Sequence, residues 1–213
     1  MPYGELIAFL AEAVVISLSG VLAPGPVTAV TLAAGARNRH AGALVALGHG
    51  IVEFPLMILI VVGVGQAFKI PQVKIGIALA GGAMLLLMGA GIFRQALKAD
   101  EVQPAASGRG PVLTGIVLSI GNPYFLLWWA TVGLALATRA VGLGATAFIL
   151  FAVLHWLCDL AWLEALSWTS FKGSKLLGGQ GQRIVLSVCG AALLLFGGLF
   201  LYDAAKDLLA SWV

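Results

Sequence analysis

Long apolar runs alternate with short polar stretches along the chain, and six of the runs are long enough to cross a bilayer. A membrane-spanning α-helix needs about 20 mostly apolar residues. The runs cover residues 6–36, 41–68, 73–93, 112–138, 142–171 and 184–209. The pattern predicts an all-α integral membrane protein with six transmembrane helices. The longest polar stretch, 94–111, would be a linker between residues 1–93 and 112–213.

The first run contains a break near its centre, where residues 21–30 read VLAPGPVTAV. A proline removes a helical N–H and clashes with the carbonyl four residues before it. Pro24 and Pro26 should therefore free the carbonyls of Gly20 and Leu22. We predict one half-helix that ends near Leu22 and a second that begins at Pro26, where the missing N–H does no harm. Such breaks form binding sites in many transporters, although a plain proline kink between packed helices has the same pattern.

The fourth run repeats this feature in the sequence GIVLSIGNPYFLLWW, residues 115–129. Pro123 should free the carbonyl of Ser119, and Asn122 is a suitable N-cap for a half-helix that begins at Pro123. Trp128 and Trp129 follow about one turn later. They are expected to wall a cavity or to offer a cation–π face, although tryptophans in a span more often face lipid or pack.

A histidine and a carboxylate stand four residues apart in two of the runs. His49 and Glu53 lie in the second run, and His155 and Asp159 lie in the fifth. This spacing places both members of a pair on one helix face. Ionisable residues in a bilayer are costly and by default mark a pathway or a binding site. A local contact that packs two helices is the alternative for either pair alone, but two pairs in matching places favour function.

The order of features is the same in the two halves of the chain, with a broken span followed by a span that carries a His–acid pair. Three spans in each half would give the halves opposite topology, so we predict two inverted three-helix repeats. Glu12 and Glu164 are weaker candidates for the site, because both are close enough to a span end to reach the interface.

The basic residues predict the orientation of the chain in the membrane. Of the 12 Lys and Arg residues, eight follow the first, third and fifth runs, and four lie on the other side. Since Lys and Arg concentrate in cytoplasmic loops, we predict a cytoplasmic linker at 94–111 and both termini outside. The net charge of +3 then reflects topology and does not indicate a nucleic-acid partner.

Several classes of protein are disfavoured by what the sequence lacks. Residues 1–20 contain no Lys or Arg and the first run is too long for a signal-peptide core, so no cleaved signal is expected. There is no phosphate-binding GxxxxGK[ST] motif, which argues against ATP-driven pumping. Cys158 and Cys189 are far apart in apolar runs, which is typical of buried free thiols. We expect no cofactor and no enzymatic activity.

The APGP segment at 23–26, the segment RNRHAGALVALGHG at 37–50 and the fourth run together resemble the lysine exporter (LysE/RhtB) family of amino-acid efflux proteins. The resemblance covers nearly the whole chain. It implies a secondary exporter in a prokaryotic plasma membrane, driven by an ion gradient, that moves a small amino acid or related metabolite out of the cytoplasm. It leaves open the substrate and the formation of a homo-oligomer.

Proton-coupled amino-acid export is the leading hypothesis. The half-helix N-termini at Pro26 and Pro123 would attract a substrate carboxylate, and the acids with the freed carbonyls would attract its ammonium. The expected substrate-binding residues are Gly20, Leu22, Pro24, Gly25, Pro26, Glu53, Asn122, Pro123, Trp128 and Asp159. Glu53 and Asp159 would exchange the proton, and His49 and His155 would relay it.

Three alternatives stay open beside this hypothesis. Two imidazoles and two carboxylates at His49, Glu53, His155 and Asp159 would suit the export of a divalent metal ion. Membrane thiol transfer needs a cysteine pair near the breaks, so Cys158 and Cys189 disfavour it. A scaffold without transport activity would leave the acids in the spans unexplained.

Overall fold

The computed structural model describes residues 3–22, 25–63, 70–97 and 110–210, and its secondary structure is helical throughout. The helices are α1 (Tyr3–Val21), α2 (Pro26–Gly35), α3 (Ala41–Val61), α4 (Pro71–Leu97), α5 (Pro111–Ile120), α6 (Pro123–Trp128), a π-helix (Trp129–Gly133), α7 (Leu134–Leu143) and α8 (Ala145–Ala210). Six segments are long and apolar enough to cross a membrane: Tyr3–Val21, Ala41–Val61, Pro71–Arg94, Pro123–Leu143, Ala145–Leu176 and Leu186–Leu209. The predicted all-α class with six spans is confirmed.

Both predicted helix breaks are present. In the first run α1 ends at Val21 and α2 begins at Pro26, while Pro24 lies outside the described residues. In the fourth run α5 ends at Ile120 and α6 begins at Pro123. The two broken runs divide in opposite proportion, since the long helix precedes the first break and follows the second. The inverted repeat stays a prediction.

Several predicted boundaries differ from the helix ends. The fourth run continues as helix to Leu143 rather than ending at residue 138, and the fifth and sixth spans both fall within α8. The second apolar run was expected to continue to residue 68, but α3 ends at Val61. Gly63 adopts φ +104°, a backbone conformation that disfavours residues with a Cβ, so the helix stops although the hydrophobic run continues. The linker predicted at 94–111 is partly helical, because α4 extends to Leu97. Residues 98–109 lie outside the described part of the chain.

Close glycine contacts place α3 at the centre of the molecule. A Cβ on Gly48 would overlap the carbonyl oxygen of Val112 at the start of α5, and one on Gly115 would overlap the carbonyl oxygen of Val45. Small residues allow such backbone approach between membrane helices. Because α3 also contacts α8 closely through Gly42, this helix of the first half packs against two helices of the second half.

The connections that follow the first, third and fifth spans meet at one end of the molecule. Ser174 Oγ donates a hydrogen bond to the carbonyl of Ala36 (2.7 Å), and Arg183 Nε donates to the carbonyl of Ala96 (3.1 Å). Both spans within α8 contact α2, since Ser170 Oγ bonds to the carbonyl of Leu32 and Cys189 packs in the cluster that contains α2. Because α2 has only ten residues, the fifth and sixth spans lie beside each other, and α8 is not one straight helix.

Candidate functional site

A cavity of about 80 Å³ lies between the two helix breaks. The first break contributes Gly20, Val21, Gly25, Val27 and Thr28, and the second contributes Asn122, Tyr124, Phe125, Trp128 and Trp129. The remaining wall consists of His49 and Glu53 from α3 and His155, Asp159 and Leu163 from α8. Both breaks and both His–acid pairs therefore meet at one place.

Glu53 lies at the centre of this cluster and has no exposed surface. Its Oε1 accepts a hydrogen bond from the indole N–H of Trp129 (3.2 Å). The same oxygen lies 3.2 Å from Nε2 of His49 and 3.2 Å from Nε2 of His155. One carboxylate oxygen thus connects α3, α8 and the π-helix.

Asp159 has looser surroundings than Glu53. Its Oδ2 lies 3.6 Å from His155 Nε2, and its Oδ1 lies 4.0 Å from His49 Nε2. Both separations exceed a hydrogen bond. Oδ2 is buried without a hydrogen-bond partner in the described part of the chain, and 12% of the side chain is exposed. A buried carboxylate oxygen that is left unpaired beside a cavity is suited to a cationic ligand.

Each histidine is held by a serine from the other half of the chain. His49 Nδ1 lies 2.7 Å from Ser119 Oγ in α5, and His155 Nδ1 lies 2.7 Å from Ser17 Oγ in α1. These contacts turn both Nε2 atoms towards Glu53. A hydrogen bond at one ring nitrogen orients the imidazole and determines what the other nitrogen can bind.

The hydrogen bonds of Ser119 determine where a proton must lie. A hydroxyl has one hydrogen, which Ser119 Oγ donates to the carbonyl of Gly115 (2.7 Å), so Oγ accepts from His49 Nδ1. A neutral imidazole with its hydrogen on Nδ1 would turn a bare Nε2 towards Glu53 Oε1, 3.2 Å away. That contact is favourable only if His49 or Glu53 holds an additional proton.

Aromatic rings enclose the cluster. The Trp128 ring stacks on His155 with centroids 5.2 Å apart, and the Phe125 ring meets His49 edge-on at 4.7 Å. The Trp128 indole also closes on Gly20, where a Cβ would lie 2.9 Å from it. The π-helix that begins at Trp129 supplies an extra residue per turn, and such turns are frequent at functional sites.

The structure brings together most of the predicted site residues. Gly20, Gly25, His49, Glu53, Asn122, Trp128, His155 and Asp159 all line the cavity. Pro26 and Pro123 are buried and begin α2 and α6. Leu22 does not belong to the cavity wall and is 47% exposed. The expectation of a free Ser119 carbonyl is wrong, because that carbonyl accepts the N–H of Asn122 (3.4 Å).

The two weaker acid candidates lie away from the cavity, each in contact with a basic side chain. Glu12 Oε2 accepts a hydrogen bond from Arg139 (2.7 Å). Glu164 Oε1 lies 2.6 Å from His40 Nδ1, and its Oε2 accepts the backbone N–H of Ala43 near the start of α3 (3.0 Å). Both carboxylates therefore join helices outside the central cluster.

Ser17 and the Ser119 hydroxyl were missed as site residues, and Trp129 was considered as a cavity wall, a cation–π face or a packing residue but not as a hydrogen-bond donor to a carboxylate. Serines are common in membrane helices, and neither serine belongs to a sequence motif with a histidine. The only signal for Trp129 was its place after the second break. Their roles depend on contacts between the halves that local patterns do not contain.

The cluster also has the donor types of a metal site. One ligand atom each from His49, Glu53 and Asp159 lie within 4.8 Å of one another. Imidazole nitrogens with carboxylate oxygens suit borderline divalent ions. The arrangement could therefore bind a proton, an organic cation or a divalent metal ion.

Comparison with known proteins places this architecture among transporters. The family model described as LysE type translocator matches residues 18–204. A relative from Bacillus subtilis (strain 168), named "Putative amino acid efflux protein YcgF", is 26% identical over 201 residues, which cover 92% of this chain and 96% of the relative. No solved structure matches the chain.

Proposed function

The chain belongs to the LysE type translocator family, and we propose that it exports a small amino acid or related metabolite from the cytoplasm in exchange for protons. The observation that carries this proposal is the unpaired, buried Oδ2 of Asp159 beside a cavity. This oxygen would take the substrate ammonium. The name of the Bacillus subtilis relative refers to amino acid efflux, which supports the proposed class of substrate.

The substrate carboxylate would bind at the N-terminus of α2. This helix has Pro26 at its first position, and its N-cap Gly25 provides no side-chain hydrogen bond. Val27 and Thr28 of the first turn line the cavity, where the helix dipole favours an anion. The start of α6 is less suited, because Asn122 Oδ1 already accepts the N–H of Tyr124 (3.1 Å).

Electrostatic competition would couple the substrate to the proton. The additional proton between His49 and Glu53 lies close to Asp159, since His49 Nε2 is 4.0 Å from Asp159 Oδ1. Two like unit charges 4 Å apart repel by about 4 kcal/mol at an effective dielectric constant of 20. A bound ammonium would therefore favour release of the proton, and a bound proton would favour release of the substrate. His155 would provide the second Nε2 through which the proton moves.

Export of a divalent metal ion is the second candidate, favoured by the close spacing of His49, Glu53 and Asp159. In that case the ion would be the substrate, with these three side chains and His155 as ligands. Coupling to protons would follow, because the ligands must be deprotonated to bind a metal.

We further propose that both termini face the outside and that the halves are inverted repeats. The support for orientation is that the connections after the first, third and fifth spans, which carry the basic majority, meet at one end of the molecule. The support for the repeat is the reciprocal pairing of His49 with Ser119 and of His155 with Ser17. A reporter fused after Val213 that is active only in the cytoplasm would contradict this orientation.

A thermal-shift screen of the purified protein tests the substrate assignment. Ligand binding stabilises by RT ln(1 + [L]/Kd), which is about 2.7 kcal/mol at 100 times Kd. We expect one or more small amino acids at tens of millimolar to raise the unfolding temperature. Mn²⁺ or Zn²⁺, tested over a series of concentrations, should not raise it. Stabilisation by the metal ions alone would favour the second candidate and contradict the first.

A further inference from the structure

A groove of about 410 Å³ lies at the end of the fifth span, away from the central cavity. Its wall is formed by Arg39, Trp168, Phe171, Lys172, Lys175 and Leu176. Three of these six residues are cationic, and none is a carboxylate. We propose that this groove binds the anionic headgroup of a membrane phospholipid.

The residues from α8 form one continuous stripe. Positions 168, 171, 172 and 175 follow the spacing that places side chains on a single helix face. Lys172 Nζ lies 4.0 Å from the centroid of the Trp168 ring, and Lys175 Nζ lies 4.5 Å from that of Phe171. Each ammonium is thus held over the aromatic ring that lies one turn before it, within the wall of the groove.

The third cation comes from a distant part of the sequence but is fixed to the same helix. Ser167 Oγ is within hydrogen-bonding distance of the carbonyls of Asn38 (3.1 Å) and Arg39 (2.8 Å). Ser170 and Ser174 donate to the carbonyls of Leu32 in α2 and of Ala36 directly after it. The backbone of Arg39 is therefore anchored beside the lysines before any ligand binds, which reduces the entropy cost of binding.

The location of the groove favours a lipid over a soluble anion. It lies at the last turns of the span Ala145–Leu176, where the side chain of Leu176 is 86% exposed. Trp168 is 42% exposed, as is common for tryptophans at the depth of lipid headgroups. Cations with apolar and aromatic neighbours would contact a phosphate and the acyl chain of the same molecule. Basic pockets at the ends of spans bind anionic headgroups in this way.

Titration of the purified protein with phosphatidylglycerol, followed by native mass spectrometry, tests the proposal. We expect K172Q/K175Q to bind the first lipid about 30-fold more weakly than the unchanged protein, at about 1 kcal/mol for each lysine near the surface. R39Q should weaken binding about fivefold. The matched control is K74Q/K206Q, which also removes two positive charges, but at the other end of the molecule. It should leave the affinity for the first lipid unchanged.

Competition experiments distinguish the possible anions, and unfolding temperatures test whether the variants are folded. Phosphatidylcholine should not compete, and millimolar inorganic phosphate should not displace phosphatidylglycerol. The lysines are exposed, so the lipid-free unfolding temperature of K172Q/K175Q should equal that of the control. Equal lipid affinity in the two double variants would overturn the proposal. Displacement by inorganic phosphate would also overturn it, in favour of a site for a free anion.

Discussion

The two buried carboxylates have matching places in the two halves but different surroundings. Glu53 has three nitrogen atoms within 3.2 Å of one oxygen, whereas the same two imidazoles lie 3.6 and 4.0 Å from the carboxylate oxygens of Asp159. Oε2 of Glu53 is also unpaired in the described part of the chain, but its side chain has no exposed surface, in contrast to 12% for Asp159. Glu53 therefore joins the helices, while Asp159 remains accessible for a ligand.

The difference follows from the chemistry of the two side chains and their neighbours. Both acids follow a histidine by four residues, but Asp is one methylene shorter than Glu and lies farther from the imidazoles. Trp129 then adds its N–H to Glu53 alone. The same motif in the sequence thus yields one carboxylate that joins the helices and, in the proposed mechanism, shares the proton, and a second that is open to the substrate. Substitutions should separate the two roles.

Replacing Glu53 by Gln should have the largest effect. Gln keeps the size of the side chain but removes the charged acceptor, and hydrogen bonds to charged groups contribute about 1.5–3 kcal/mol each. We expect a loss of about 3 kcal/mol in the free energy of unfolding and a loss of transport of at least about 100-fold. Thermal unfolding in detergent and export from proteoliposomes measure the two effects.

The matched control for this substitution is E12Q. Glu12 is also paired across helices, with Arg139 at 2.7 Å, but both side chains are about half exposed. Such surface pairs contribute about 0–1 kcal/mol. If E53Q were no less stable than E12Q, the central role of Glu53 in the fold would be wrong.

Replacing Asp159 by Asn should affect transport without lowering stability. Among the described residues both imidazoles are too far from Asp159 for a hydrogen bond, so none is lost there and a poorly paired buried charge is removed. We expect the unfolding free energy to stay within about 1 kcal/mol or to rise, while stabilisation by amino acids disappears. Thermal shifts with and without the amino acid measure this, and E164Q on the same helix is the control. Ligand stabilisation that persists in D159N would place the ammonium elsewhere.

The sequence alone predicts much of the fold and the members of the central cluster. The breaks at Pro26 and Pro123 were predictable because proline removes a backbone donor and is suited to the first position of a new helix. The four-residue spacing of His49 and Glu53, repeated at His155 and Asp159, identified the polar side chains that converge. These features depend on local chemistry, which the chain carries within a few residues.

Contacts across the halves could not be predicted in the same way. Nothing near His49 identifies Ser119 as its partner, because the contact depends on how closely α3 approaches α5. That approach depends in turn on Gly48 and Gly115, which are two of 28 glycines in the chain. The end of α3 at Val61 could not be predicted either, because the run of apolar residues continues past it. The unequal surroundings of Glu53 and Asp159 follow from such contacts.

Removing each imidazole should distinguish a proton relay from a set of metal ligands. We expect H49A and H155A to slow amino-acid export by about tenfold to 100-fold without ending it, because water can replace an imidazole in proton transfer. Transport in proteoliposomes with an imposed pH gradient measures this. Loss as complete as in E53Q, together with stabilisation of the unchanged protein by Mn²⁺ or Zn²⁺, would favour metal export.

The smallest expected effects concern the serines that hold the two histidines, and these test whether the halves differ in proton placement. Ser119 donates to Gly115 and so requires a hydrogen on His49 Nδ1. Ser17 makes no second hydrogen bond within the described residues and accepts from or donates to His155. S119A should therefore free His49 to change tautomer, whereas S17A removes a contact that does not fix one. Each substitution should cost about 1 kcal/mol of stability.

The pH profile of export should separate these two positioning serines. In S119A, His49 can place its hydrogen on Nε2 and donate to Glu53 without an additional proton, so we expect the profile to shift and the maximal rate to fall about fivefold. In S17A the rate should fall about twofold with the profile unchanged, because the hydrogen on His49 is still fixed. Replacement of Ser119 by Thr, which keeps the hydroxyl, should restore the profile. Equal shifts in S119A and S17A would mean that the two histidines hold their protons alike and that the halves differ only at their carboxylates.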